Sequence, residues 1–126
     1  MENVYDPVAG IVMVEVSSVE SNTDVIVWDF HFGTNEYAGW TECSDVAVHG
    51  GGSGRMEWCR PQHIFYNLSR TGYFSTGTRR RMIACHELGH TIGLQHRQVS
   101  ATCMHKNADT SETIPQHEID HLVDLY

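Results

Sequence analysis

Three histidines and a glutamate, His86, Glu87, His90 and His96, stand in the order H-E-x-x-H-x-x-G-x-x-H. On a helix, side chains four apart lie one turn above each other on one face, so His86 and His90 can grip one ion together. Glu87, beside the first histidine, is not needed as a ligand and is free to orient and deprotonate a metal-bound water. Gly93 can take the left-handed conformation that ends a helix, and the turn it allows returns His96 as a third ligand. Three imidazoles that leave a fourth position for water form the donor set of a catalytic zinc ion. The predicted chemistry is hydrolysis through a zinc-bound water with Glu87 as general base. The competing reading is a chance cluster in a chain with nine histidines. A bare H-E-x-x-H would leave that open; the glycine and third histidine at these offsets outweigh it.

Such a site needs a rigid helix beneath it. The pattern predicts one from near Thr76–Thr78, where a threonine can cap it, to about Gly93. Arg79, Arg80 and Arg81 in its first turn oppose the helix dipole and read as a solvated face. At about 100° per residue, Ile83, His86, Glu87 and His90 fall on one side and Cys85, Leu88 and Ile92 on the other. The helix is therefore expected between a sheet and a lower subdomain.

Strands are predicted at Ile11–Val16 and, most strongly, Val25–Phe32. The first half of the latter is continuously apolar, as in a strand covered on both faces. Its second half alternates, with Trp28, Phe30 and Phe32 on one face and Asp29 and His31 on the other; His31 reads as a surface or edge residue. Gly33–Thr41 reads as a loop, Asp45–His49 as a short strand, and Gly50–Gly54 as a mobile surface loop. No Lys-Ser/Thr follows that glycine run, so it is not a phosphate-binding loop. Met56–Cys59 and Gln62–Asn67 suggest another strand, and Asn67-Leu68-Ser69 is formally a glycosylation tripeptide. A last helix over Gln116–Tyr126, capped by Thr113, carries Ile119, Leu122, Val123 and Tyr126 as one packed stripe.

That helix contains a second H-E-x-x-H, His117-Glu118-Ile119-Asp120-His121. With Ile119 at the centre of the stripe, His117 and His121 lie about 160° away and face solvent. No third histidine follows, so the copy lacks the enclosure that catalysis requires.

The 126 residues, 40% hydrophobic and 19% charged, fit one soluble globular domain. A formal net charge of −8 argues against nucleic acid or an anionic membrane as partner. No apolar run approaches the roughly 18 residues of a membrane span. The opening Met1-Glu2-Asn3-Val4-Tyr5 does not read as a signal peptide; it reads as a mature or trimmed start, with a cytosolic start as the alternative. The four cysteines, Cys43, Cys59, Cys85 and Cys103, form no C-x-x-C pair, which disfavours a four-cysteine zinc site. Of their three possible connectivities we favour Cys85–Cys103, fastening the active-site helix to the loop beneath the metal, with Cys43–Cys59 closing the middle of the chain. Paired cysteines favour a secreted, extracellular setting; four reduced thiols in an intracellular protein are the alternative.

His86–His96 is similar to the long zinc-binding motif of the metzincin metalloproteases, and Met104, eight residues after the third histidine, sits where their Met-turn is expected. Within that clan the chain resembles the matrixins and related secreted bacterial proteases. Ile119–Tyr126 is similar to the closing helix of matrixin catalytic domains and Ser21–Val27 to their core-strand entry. The resemblance implies an α+β fold: a twisted mixed sheet, a buried active-site helix and a C-terminal helix, within one catalytic domain over residues 1–126. It further implies a monomeric zinc endopeptidase whose peptide or protein substrate lies as an extended strand along the sheet edge, with Val46–His49 expected as that edge. One zinc ion is expected, held by His86, His90 and His96; calcium has no support in the sequence. Three features depart from the pattern. Arg97 follows the third histidine, where subfamilies carry a serine, aspartate or glutamate. Lys106 stands where some place a tyrosine. Little chain precedes Ile11, as in a minimal or trimmed domain. The alternative reading is a catalytically inactive zinc-binding module on a protease scaffold.

Overall fold

The computed structural model describes residues 16–21, 23–43, 46–47, 58–59, 61–99, 101–107, 111 and 113–125, with the side chains of 43, 46, 47, 58, 59, 121, 124 and 125 excepted. The elements run β1 (Val25–Phe30), β2 (Gly39–Cys43), β3 (Val46–Ala47), β4 (Trp58–Cys59), β5 (Gln62–Asn67), α1 (Gly77–Thr91) and α2 (Gln116–Leu125). The fold is α+β. Of the strand predicted over Ile11–Val16, residues 11–15 lie outside the described residues and Val16 is exposed and not in a strand.

β5 is the centre of a mixed three-stranded sheet in the order β1-β5-β2. It runs parallel to β1, with Val25 opposite Gln62 and Phe30 opposite Asn67. It runs antiparallel to β2, with Gly39 opposite Tyr66 and Thr41 opposite Ile64. β3 and β4 pair antiparallel in a separate two-stranded sheet. Two expectations change here. The segment read as a loop to Thr41 becomes strand from Gly39, because Trp40 and Thr41 suit a pleated surface and β5 supplies their hydrogen bonds. The antiparallel edge of the main sheet is therefore β2, while Val46–Ala47 belongs to the smaller sheet and residues 48–49 lie outside the described set.

Alternation along β5 sorts the two faces. Ile64 is buried towards α1, which packs over β2 and β5. Phe65 points the other way and stacks on Trp40 with ring centroids 4.9 Å apart and on Trp28 at 6.5 Å, while Phe32 meets it edge-on at 5.8 Å. The aromatic face expected for Trp28, Phe30 and Phe32 is thus formed. Because α1 does not extend over β1, Val27 remains 55% exposed and Trp28 47%, and the first half of β1 is not covered on both faces by the described residues.

Below the helix lies the main apolar cluster: Cys85, Ile92, Leu94, Cys103, Met104 and Leu122, with Leu88 and Ile114 packed against it. A disulfide joins Cys85 to Cys103 with Cα atoms 5.9 Å apart. Leu122 anchors α2 in this cluster, but Val123 is exposed and Glu118 is buried. The buried stripe of α2 is rotated from the one expected, towards Glu118 and Leu122 four residues apart, and Tyr126 lies outside the described residues.

Candidate metal centre

Local chemistry fixes both ends of α1. Thr76 is extended, with φ −128° and ψ 156°, and its hydroxyl accepts the Arg79 amide at 3.2 Å. Arg79, Arg80 and Arg81 are exposed, as a solvated face requires. At the other end the Gly93 amide reaches the His90 carbonyl at 3.1 Å and the Leu94 amide reaches back to Gly89 at 2.9 Å. That pair of bonds is a Schellman turn, and it needs Gly93 at φ 94°. The turn frees the Leu94 carbonyl to accept from His90 Nδ1 at 2.8 Å. A helix stop thereby orients a ring in the site.

The three imidazoles converge. His86 Nε2 lies 3.1 Å from His96 Nε2 and 3.2 Å from His90 Nε2, and the last two are 3.2 Å apart. A tetrahedral zinc with bonds of about 2.0–2.1 Å places its nitrogen ligands roughly 3.3 Å apart, so the triangle fits one such ion. His86 Nδ1 donates to the Cys103 carbonyl at 2.7 Å. His86 and His90 thus carry their protons on Nδ1 and aim their Nε2 lone pairs at a common point. Burial lowers both imidazole pKa values, that of His86 to about 4. Both rings are therefore neutral near pH 7, the form a metal requires.

Glu87 is 5% exposed and lies on the sheet side of the helix. Thr41 of β2 donates its hydroxyl to Glu87 Oε2 at 2.9 Å. A Cβ placed on Gly39 would stand 3.0 Å from both Glu87 Cγ and Oε1, so any other residue there would press on this carboxylate. Burial raises the Glu87 pKa to about 7, against the lowering effect of the Thr41 bond. Tyr66 sits nearby, and burial together with the Glu87 charge pushes its phenol well above its ordinary pKa.

Met104 is fully buried in the lower cluster, and its carbonyl accepts the Arg97 amide at 2.8 Å. The Cys85–Cys103 bridge forms as favoured, while the side chains of Cys43 and Cys59 lie outside the described set. In the second H-E-x-x-H, the His117 side chain is 54% exposed, and the His121 side chain is among those not described. Thr41 and Gly39 were not singled out by the sequence pattern; their signal was the Gly-Trp-Thr-Glu-Cys run, alternating small and large residues as a strand does. Asn67 was read only as part of a glycosylation tripeptide. Its side chain is fully buried, accepting from the Phe32 and Ser69 amides at 3.1 Å each and donating to the Gly33 carbonyl at 3.0 Å. That amide holds the loop after β1 and is closed to a glycan.

Taken together, the fold brings three histidines on and after one helix to where they could hold one metal ion, beside a buried carboxylate facing an antiparallel edge strand. The family model described as Matrixin matches residues 17–126. The chain belongs to the matrixin family, which supports metallopeptidase chemistry and implies zinc. Neither the curated proteins nor the solved structures contain a significant match to it.

Proposed function

We propose that the protein is a zinc-dependent endopeptidase in which His86, His90 and His96 hold the metal and Glu87 is the general base. The observation that carries this reading is the convergence of three Nε2 atoms within 3.2 Å of one another beside a buried carboxylate whose orientation is set by Thr41. When bound, zinc supplies a Lewis acid that acidifies water and polarises a carbonyl oxygen. Glu87 takes the proton of the attacking water and delivers it to the departing amine. A carboxylate raised to about pKa 7 suits both tasks, being a stronger base than a solvated glutamate and a usable acid near neutrality.

β2 is an edge strand, and its Thr41 touches Glu87. A peptide pairing along that edge as an added strand would bring its backbone past the carboxylate. The Cys85–Cys103 bridge suits an oxidising, extracellular setting. Among the described residues no helix is long and apolar enough to cross a membrane. The test pairs Glu87→Gln with metal analysis: the variant should keep stoichiometric zinc and lose chelator-sensitive peptide hydrolysis. Cleavage at the wild-type rate by the variant would remove Glu87 from the mechanism.

A further inference from the structure

The three proposed ligands are not supported alike. His86 and His90 each donate Nδ1–H to a backbone carbonyl, of Cys103 and Leu94. His96 is exposed, lies beyond the helix, and has no such ring bond among the described residues. Ligating histidines ordinarily have their second nitrogen held, which fixes the ring. Among the described residues, what fastens His96 is the backbone beside it.

That backbone is Arg97, which is fastened on two sides. Its amide donates to the Met104 carbonyl at 2.8 Å, and its carbonyl accepts the Lys106 amide at 3.3 Å. Its side chain crosses to α2, where Nε lies 3.2 Å from Glu118 Oε1 and Nη2 lies 2.6 Å from His117 Nε2. A guanidinium only donates, so His117 accepts through Nε2 in this arrangement. Glu118 is 7% exposed in its side chain, and its Oε2 is buried with no hydrogen-bond partner among the described residues. Among the described residues Arg97 is the guanidinium that meets this buried carboxylate, and removing it would leave the charge uncompensated. The histidine and glutamate of the second H-E-x-x-H thus both bind the residue that follows the third histidine of the first.

We propose that Arg97 is a positioning residue for His96: its clamp on Glu118 and His117, with its backbone bonds to the Met-turn segment, fixes the ligand that has no ring hydrogen bond of this kind among the described residues. This rests on zinc being held by the three histidines. The test measures zinc affinity by chelator competition and the visible spectrum of the cobalt-substituted protein, in wild type, Arg97→Met, Arg97→Lys and Glu118→Gln. Arg97→Met keeps the aliphatic stem and removes the charge. It should weaken zinc binding about 10- to 100-fold and alter the cobalt bands, the usual size of an outer-shell loss. Glu118→Gln should do the same, the double variant should be little worse than either, and Arg97→Lys should recover part of the affinity. Where Arg97→Met does not fold, Glu118→Gln and Arg97→Lys make the same comparison. Zinc affinity within about twofold of wild type and an unchanged cobalt spectrum would overturn the proposal, even with a lower melting temperature, because outer-shell positioning must register at the metal. A wild-type protein that binds no zinc would overturn the metal reading as well; unaffected variants of a zinc-binding wild type would overturn this inference alone.

Discussion

The chain writes the same five-residue pattern, H-E-x-x-H, on two helices and uses it in opposite ways. On α1 the histidines face a third one and the glutamate is turned into the sheet against Thr41. On α2 the first histidine is largely solvated and the glutamate is buried against an arginine. Spacing is identical, so spacing decides only that the side chains can share a face. What each helix is packed against decides which face is buried and whether the carboxylate meets a strand hydroxyl or becomes one end of an ion pair. The difference teaches that the pattern is a geometric permission and that the surrounding elements supply the chemistry.

The comparison breaks most visibly at the histidines. His86→Ala should abolish measurable hydrolysis and weaken zinc binding by roughly 300- to 8,000-fold, one of three ligands' share of roughly 10–16 kcal/mol. His117→Ala removes one of the two partners that hold Arg97, so it should weaken zinc binding by less than Glu118→Gln does and keep hydrolysis; abolition of activity there would mean that the two copies are not distinct. Next come the glutamates. Glu87→Gln should lower kcat by about 10²- to 10⁴-fold with zinc retained, whereas Glu118→Gln should act mainly on zinc affinity; steady-state kinetics beside metal titration separates them. Third is the covalent tie that only the first copy has. Reducing the Cys85–Cys103 bridge, which spans 18 residues, should cost about 3 kcal/mol in denaturant unfolding. The smallest effect concerns pH. In the proposed mechanism the carboxylate form of Glu87 is the active one, and burial raises its pKa to about 7, so kcat/KM should fall as pH drops through that value. Thr41→Val removes a bond that favours the charged form and should move this acidic limb to higher pH. Glu118→Gln should leave the limb where it is.

Much of the site's framework was legible because its signals are local. Thr76, Gly93 and the histidine offsets mark the ends and the face of α1 within a few residues of chain. The strands at β1 and β5 were legible for the same reason, through β-branched and aromatic runs. β2 was not. Its hydrogen bonds come from β5, some 20 residues on, and Gly39, which reads locally as a breaker, is there because Glu87 occupies the space of its side chain. The buried face of α2 was misphased because a polar residue holds a core position. Glu118 goes inside only since Arg97 from another segment meets it, and no hydrophobic periodicity reports such a pair. Asn67 escaped likewise, its role residing in loop amides that the fold brings to it.

The Cys85–Cys103 bridge has a consequence for the chain when it is not folded. The ring it closes contains His86, Glu87, His90, His96 and Arg97, so oxidised chains that lose the sheet still keep every proposed metal donor on one short tether. Tethering holds the imidazoles at a high effective concentration and lets the denatured ensemble bind metal as well. Metal that binds both states protects the native one by less than its affinity for the folded site implies. An unfolded, oxidised molecule then regains its site by a search within a single loop, while the sheet can reassemble around donors that never dispersed.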